Sequence, residues 1–396
     1  MIHTLFEGIR ILDLSQGIAG PMAAGILARQ GATVIKVEPL HGDWVRPTGA
    51  SRDGMSAIAT ACNFNKRSLA IDALHPAGRA TLRTLALRAD VVLDNFRSGV
   101  TKKLGLDRAS LSDENPRLIT CSITGFGEVG PWAKKAATDS VVQAFSGMAV
   151  ANGGSAATPR RIGLYVPDNI SAIYAAQAIS GALFARERSG QGRHLALSLA
   201  ECCAAFQSAP IADQALFPDP ASKVAVFAPA GEFQTRDGWM VVAVMSGEMF
   251  ARLARAVGRE QWLADARYAD SDVRKKYLKE INAELNTALR ERTSAEWTAI
   301  FDAAEVDVLA SPIHDYNQMR NHPQTVAMEM FSRLQQPPYG DLAVPHLPVS
   351  TREITPAPRV GEHSRELLAE AGMAAAEINA LIAAGVVRQF EVGSST

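Results

Sequence analysis

The sequence predicts an α/β protein with a doubly wound, parallel-sheet large domain and a smaller α/β domain. Two observations carry this prediction. In the first third of the chain, short apolar runs alternate with helical stretches, and parallel strands require such crossovers. Further on, a Pro- and Ala-rich connection is followed by a hairpin signature, where the earlier elements are joined by crossovers.

The elements follow in order. Residues 9–14, 32–37, 68–71, 91–94 and 118–123 read as strands, being short, apolar and rich in Val, Ile and Leu. Helices are predicted from Pro21 to about residue 30 and over 76–88, each with proline in its first turn. Two longer helices are predicted over 139–150 and 169–188, the second Ala-rich and bounded by Pro167 and Gly190. A strand over 195–199 and a helix from Ala200 complete this part. Residues 217–230 read as a connection. Arg236, Asp237 and Gly238 form the turn of a hairpin, helices fill 248–305, and 337–358 is a second proline-punctuated connection. Two amphipathic helices, 362–371 and 374–384, close the chain. The expected division is a large domain over 1–216, a linker and small domain over 217–330, and a linker with a return to the large domain over 331–396.

Composition narrows the function. The 396 residues carry 40 Lys+Arg against 41 Asp+Glu, a net charge of -1. A generally basic nucleic-acid binder is excluded. Apolar residues make up 47% and charged residues 20%, which is globular composition. No apolar run approaches the roughly 18–20 residues of a membrane span, and the N-terminus lacks a signal pattern. A soluble, cytoplasmic protein is expected. Cys62, Cys121, Cys202 and Cys203 show no C-x-x-C spacing, and the eight histidines form no H-x-x-x-H pair. Reduced thiols and no metal site are expected. The glycines after the first strand, Gly17, Gly20 and Gly25, do not make G-x-G-x-x-G, so NAD is not expected.

Three features sit where a parallel sheet binds ligands, beyond the strands' carboxyl ends. Asn95, Phe96 and Arg97 follow the fourth strand, with Lys102 and Lys103 close behind. Gly125, Phe126 and Gly127 follow the fifth. Lys66 and Arg67 add two cations beside the third. These charges read either as solvated surface or as contacts to a phosphate-rich ligand. Asp168 stands at the start of the long Ala-rich helix. It reads as an N-cap, or as a carboxylate held ionised by the helix dipole and able to attack an acyl group. Local pattern places both readings at the same residue.

Taken together, these residues resemble the family III CoA-transferases, the group that includes formyl-CoA transferase, carnitine CoA-transferase and the α-methylacyl-CoA racemases. The resemblance runs through Leu12 to Ser15, Ala19 to Pro21, Lys36 to Pro39, Gly42, Asp43 and Arg46. It continues through Asn65 to Leu69, Asn95 to Arg97, Gly125 to Gly127, Gln143 to Gly147 and Asp168. Thr235, Asp237, Gly238, His322 and Gly361 to His363 extend it. It implies two chains interlocked as a homodimer and Asp168 as the nucleophile. CoA or acyl-CoA, as substrate, is implied against Gly17, Ile18, Lys66, Arg67, Leu69, Asn95, Phe96, Arg97, Lys102, Lys103 and Thr138. Lys103 aligns with a phosphate contact, and backbone N–H groups of Gly125, Phe126 and Gly127 serve developing oxyanions.

Departures from the family pattern narrow the activity. Thr138 precedes Asp139 where the racemases carry histidine, which disfavours proton shuttling. Residues 228–231 lack the glycine run of the formyl-CoA enzyme. The sequence therefore predicts CoA transfer between an acyl-CoA and a small carboxylic acid, with a short dicarboxylate anchored by Arg160, Arg161 or Arg46. A 2-methylacyl-CoA racemase and a non-catalytic CoA-binding protein are the alternatives.

Overall fold

The computed structural model describes residues 4–219, 225–303, 309–350 and 353–391. The chain divides into two compact units, Met1–Ile211 with Met330–Thr396, and Ala212–Glu329.

The first unit is built on a seven-stranded sheet. Its spatial order is Val387–Arg388, Lys66–Ile71, Thr33–Glu38, Arg10–Asp13, Val91–Asp94, Ile119–Thr124 and His194–Ser198. All pairings are parallel except that of the two-residue edge strand Val387–Arg388. The predicted mixed α/β architecture with a parallel sheet is thus observed. Neighbouring residues on a strand face opposite sides, and the two cores follow that alternation. Ile11, Val34, Leu93 and Cys121 pack with Ala23 and Leu27 of helix Ala19–Arg29 and with Ala172 and Ile179 of helix Val166–Ser189. Leu12, Leu69, Ile71 and Val92 pack on the other side with Leu82 and Leu85 of helix Pro76–Leu87 and with Leu367 and Ile378 near the C-terminus. Both faces are covered, so the strands are buried on both sides, and the charged residues they carry, such as Asp13, Lys36, Glu38 and Lys66, lie buried with them.

The chain runs outward from the first strand to Thr33–Glu38 and Lys66–Ile71, then returns to place Val91–Asp94 on the first strand's other side. The connections leaving Arg10–Asp13 and Val91–Asp94 therefore diverge and open a crevice at their carboxyl ends. The Asn95 side chain pins that point. Its Oδ1 accepts from Gln16 N at 2.8 Å, and its Nδ2 donates to Gln16 O at 2.6 Å.

Two expectations are corrected. The single helix over 139–150 is two, Asp139–Phe145 and Met148–Gly153. Gly147 lies between them at φ 81°, a left-handed turn that ends the first helix. The proline-punctuated 337–358 connection contains the turn and second strand of a hairpin, Phe331–Gln336 paired with Gly340–Pro345. The prolines sit at its ends and turn, where no ladder N–H is needed.

The second unit has a three-stranded antiparallel sheet in the order Leu309–Pro312, Trp239–Ala243, Ala230–Gln234. Helices Gly247–Ala256, Leu278–Leu289 and Ser294–Ala303 cover it around Trp262, Trp297 and Phe250. The predicted turn is present. Thr235 N donates to Gly238 O at 2.9 Å, and Asp237 Oδ1 accepts from Ser294 N at 2.8 Å, satisfying a donor at the next helix start.

Candidate active site

At the sheet's switch point a cavity of about 430 Å³ opens. Among the predicted site residues it brings together Ile18, Asn95, Phe96, Arg97, Gly125, Thr138 and Asp168. These come from segments following three strands and from the starts of two helices, Asp139–Phe145 and Val166–Ser189. A larger hollow, about 630 Å³, lies by Thr33, Asn65 and Lys66, at the amino ends of two strands. Chemistry, not size, therefore marks the site.

Asp168 is not an N-cap. Helix Val166–Ser189 begins two residues earlier, after Tyr165, and places Asp168 inside its first turn. That turn exposes backbone donors, and one is satisfied from another helix: Asp168 N donates to Asp139 Oδ2 at 3.3 Å. Asp139 is 7% exposed. Its other oxygen, Oδ1, accepts from Gln143 Nε2 at 2.7 Å. Gln143 is itself buried and clasps the segment leading into the Asp168 helix. Its Oε1 accepts from Ile162 N at 2.8 Å, and its Nε2 donates to Leu164 O at 3.1 Å. Among the described residues, no hydrogen bond reaches the Asp168 side-chain oxygens.

The electrostatics reverse one expectation. The helix start was expected to keep Asp168 ionised. Burial, aided by the nearby negative Asp139, instead pushes its carboxyl up to about 7. Burial also raises the Asp139 carboxyl, against the Gln143 hydrogen bond, the Asp168 N–H and the positive Arg161. The pair leaves the Asp168 carboxyl near its titration midpoint at neutral pH.

Gly125 makes the cavity's floor. A Cβ there would lie 2.2 Å from the Ala137 Cβ, so only glycine lets this strand end approach the segment carrying Thr138. Gly125 O accepts from Ala200 N at 3.1 Å. The Gly127 N–H donates to Thr124 Oγ1 at 3.0 Å and is already committed within the loop. Phe126 lies outside the cavity lining, edge-on to Trp132 and Phe145. Gln16, Trp44, Ser140 and Tyr165 also line the cavity. Sequence reasoning did not select them, since each is an ordinary polar or aromatic residue with no local signature.

The other predicted contacts are placed elsewhere. Lys66 is 3% exposed and its ammonium is fully used. Nζ donates to Asp13 Oδ2 at 2.9 Å, to Pro21 O at 2.7 Å and to Asn63 Oδ1 at 2.9 Å. It is an internal counter-ion, and the reading of it as a surface cation is corrected. Arg67 pairs with Glu370 at 2.9 Å and Glu366 at 3.0 Å. Leu69 is wholly within the core. Arg46, a candidate carboxylate anchor, is buried against Glu38, with Nε to Oε1 at 2.6 Å. Lys102 and Lys103 are exposed on the short helix Val100–Leu104, directly after the Arg97 loop. Gly17 is held from behind, its N–H donating to Asp43 at 3.0 Å.

These buried charges form one network. Lys36 Nζ lies 3.0 Å from Asp43 Oδ2 and also donates to Ser15 O. Glu38 Oε1 accepts from Asp43 N at 3.0 Å, and its Oε2 accepts from Ser68 Oγ at 2.8 Å. Three cations, Lys36, Arg46 and Lys66, thus neutralise three anions, Asp13, Glu38 and Asp43. The network fixes the Ser15–Gly17 turn that edges the cavity. His363 joins it: its Nδ1 accepts from Ser68 N at 3.3 Å, tying the C-terminal segment to the sheet.

A family model described as CoA-transferase family III matches residues 6–364. The chain belongs to CoA-transferase family III. It is 33% identical to the succinate–glutarate CoA-transferase of Agrobacterium fabrum, over 92% of this chain and 95% of that one. It is 30% identical to the succinyl-CoA–D-citramalate CoA-transferase of Chloroflexus aurantiacus, over 92% and 93%. A CaiB/BaiF family protein from Brucella suis superposes with a TM-score of 0.83 at 29% identity, over 93% of this chain and 99% of that one. This family III CoA-transferase is therefore an enzyme whose substrates include an acyl-CoA. Among the described residues, no helix is long and apolar enough to cross a membrane.

Proposed function

We propose that this enzyme moves CoA from an acyl-CoA to a small carboxylic acid, with Asp168 as the nucleophile. The observation that carries the reading is the Asp168 carboxyl: it stands in a cavity at the sheet's switch point with no hydrogen-bond partner among the described residues. An unpartnered carboxyl in that place is available to a substrate.

The chemistry balances without any added proton. An Asp168 oxygen attacks the thioester carbon, and the C–S bond breaks to release CoA thiolate. The aspartyl–acyl anhydride that results is attacked by the thiolate at the aspartyl carbonyl. The donor acid leaves as carboxylate, and Asp168 becomes an aspartyl-CoA thioester. The acceptor carboxylate attacks that thioester, and thiolate then attacks the acceptor's carbonyl. Each exchange replaces one acyl bond by another of similar energy.

CoA is proposed to lie along the crevice. A second cavity of about 400 Å³ shares Gln16 and Phe96 with the first and is lined by Val37, Ile71 and Leu106. Together they offer length for an extended ligand. Gly17, Ile18, Asn95, Phe96, Arg97, Gly125 and Thr138 are the proposed contacts, with Lys102 and Lys103 reaching phosphates. Thr138, which lacks an acid/base group, leaves racemase chemistry without its second proton carrier. The active form is proposed to be an interlocked, cytoplasmic homodimer. Its large CoA-binding domain spans residues 1–216, its linker and small domain 217–330, and its return 331–396.

Mass spectrometry on enzyme mixed with succinyl-CoA tests the mechanism. A hydroxylamine-sensitive CoA adduct on the peptide carrying Asp168 is expected, absent from Asp168→Ala. Full exchange activity in Asp168→Ala against a broad panel of acids would sink the reading.

A further inference from the structure

We infer that Arg161 is the anchor for the distal carboxylate of a short dicarboxylate acceptor. The inference rests on the Asp168 mechanism above and names its substrate class.

The cavity's charge is the starting point. Asp139 and Asp168 both contribute carboxyls to it. An acid that must present one carboxylate to Asp168, and carries a second, meets two like charges and needs a fixed cation. The sequence offers Arg46, Arg160 and Arg161. Arg46 is removed by its buried bond to Glu38. Arg160 is exposed, and its main chain is tied to Ala149 and Asn152, away from the cavity lining. Arg161 is different. Its Nη1 donates to Ser140 Oγ at 2.5 Å, and Ser140 lines the cavity beside Asp139.

Three properties make this guanidinium a receptor. It is exposed, so a ligand reaches it without first displacing protein. Among the described residues, no carboxylate lies within ion-pair distance of it, and its charge acts on Asp139 only from further away. Its bond to Ser140 uses one N–H and leaves a planar fork to meet a carboxylate on two bonds. Arg97, the cation that itself lines the cavity, lies on the Asn95 side, directly after the switch-point strand and next to Lys102 and Lys103. Two cations on different elements suit a ligand pair with separate anionic parts.

The test compares acids of equal length with one carboxylate or two. Succinyl-CoA is the donor, and glutarate and pentanoate are the acceptors, with kcat and KM measured for each. Wild-type enzyme is expected to prefer glutarate. Arg161→Gln is expected to lower kcat/KM for glutarate by about tenfold or more, chiefly through KM, with pentanoate changed less than about twofold. Arg161→Lys is expected to fall between, keeping charge but losing the fork. Arg160→Gln is the control and is expected to behave as wild type. A wild type without a preference for the dicarboxylate, including one that turns over neither acid, overturns the inference. So does an equal loss on both acids in Arg161→Gln. Failure of the Asp168 mechanism is read separately, by absence of the aspartyl-CoA adduct in wild type. Arg161→Gln is expected to retain that adduct.

Discussion

The main-chain N–H of Asp168 donates to the Asp139 carboxylate at 3.3 Å, across 29 residues of chain. One carboxylate thus holds the helix start that carries the other. The same contact brings two negative groups together in a partly buried place. One neighbour therefore helps to hold Asp168 in place and adds to the effect of burial on its protonation.

The first prediction concerns that coupling. In the proposed mechanism ionised Asp168 is the attacking form, and its carboxyl is pushed up to about 7. Activity should fall as pH drops through about 7. Asp139→Asn removes the repelling charge and keeps a side-chain oxygen for Gln143. The acid limb of the kcat/KM profile should then move down by on the order of one pH unit. An unmoved limb would show that burial alone raises Asp168.

A second prediction follows from linkage. An acid whose folded-state pKa lies above its ordinary 3.8 costs stability once ionised. The cost is absent below the unfolded pKa, grows as pH rises, and is complete above about 7. Asp168→Asn should abolish exchange, by about a thousandfold or more. It should also stabilise the fold by on the order of 1–2 kcal/mol at pH 8, after allowing for partial solvent screening. Thermal melts at pH 4 and pH 8 check this, and the gain should appear only at the higher pH.

Lys66 and Arg97 should separate cleanly. Lys66→Met strands Asp13 without its ion-pair partner and should cost about 3–5 kcal/mol in urea unfolding. Asp13→Asn combined with Lys66→Met should recover part of that loss. Arg97→Ala should leave the melting temperature within about 2 °C of wild type. It should raise KM for the acyl-CoA severalfold, with the difference shrinking in high salt. A Lys66 variant with native stability and a raised KM would reverse these assignments.

Gly125→Ala tests the cavity floor. The new methyl group meets Ala137 at 2.2 Å, against main chain that cannot swing aside. A loss of about 1–3 kcal/mol is expected. Exchange should fall by more than stability explains, because Thr138 and Asp139 follow Ala137 directly. The second variant Ala137→Gly, in the Gly125→Ala background, should restore both.

Much of the frame was legible in the sequence. Short apolar runs between helical stretches marked the strands and helices of the parallel sheet, because each strand must bury both faces. Strand ends converge in such a sheet, so residues just past them, Asn95, Arg97 and Gly125, could be grouped from chain position alone, and they line one cavity. Less was legible where a few residues decide the outcome. The hairpin from Phe331 to Pro345 hid among prolines, and Gly147 split a helix whose apolar pattern ran on.

What the tertiary structure alone decided is the fate of each charge. Lys66 and Arg97 look alike in sequence, both cations within a few residues of an asparagine beside a strand. One is sealed against Asp13 and the other opens on the cavity. Arg46 and Arg161 divide in the same way, one clamped to Glu38 and one free to meet a ligand. Asp168 could be singled out from its place at a helix start, but its protonation depends on Asp139. The physical reason is common to all of these. Hydrophobic pattern is local along the chain, whereas the energy of an ionised group depends on burial and on counter-charges that folding brings from far away.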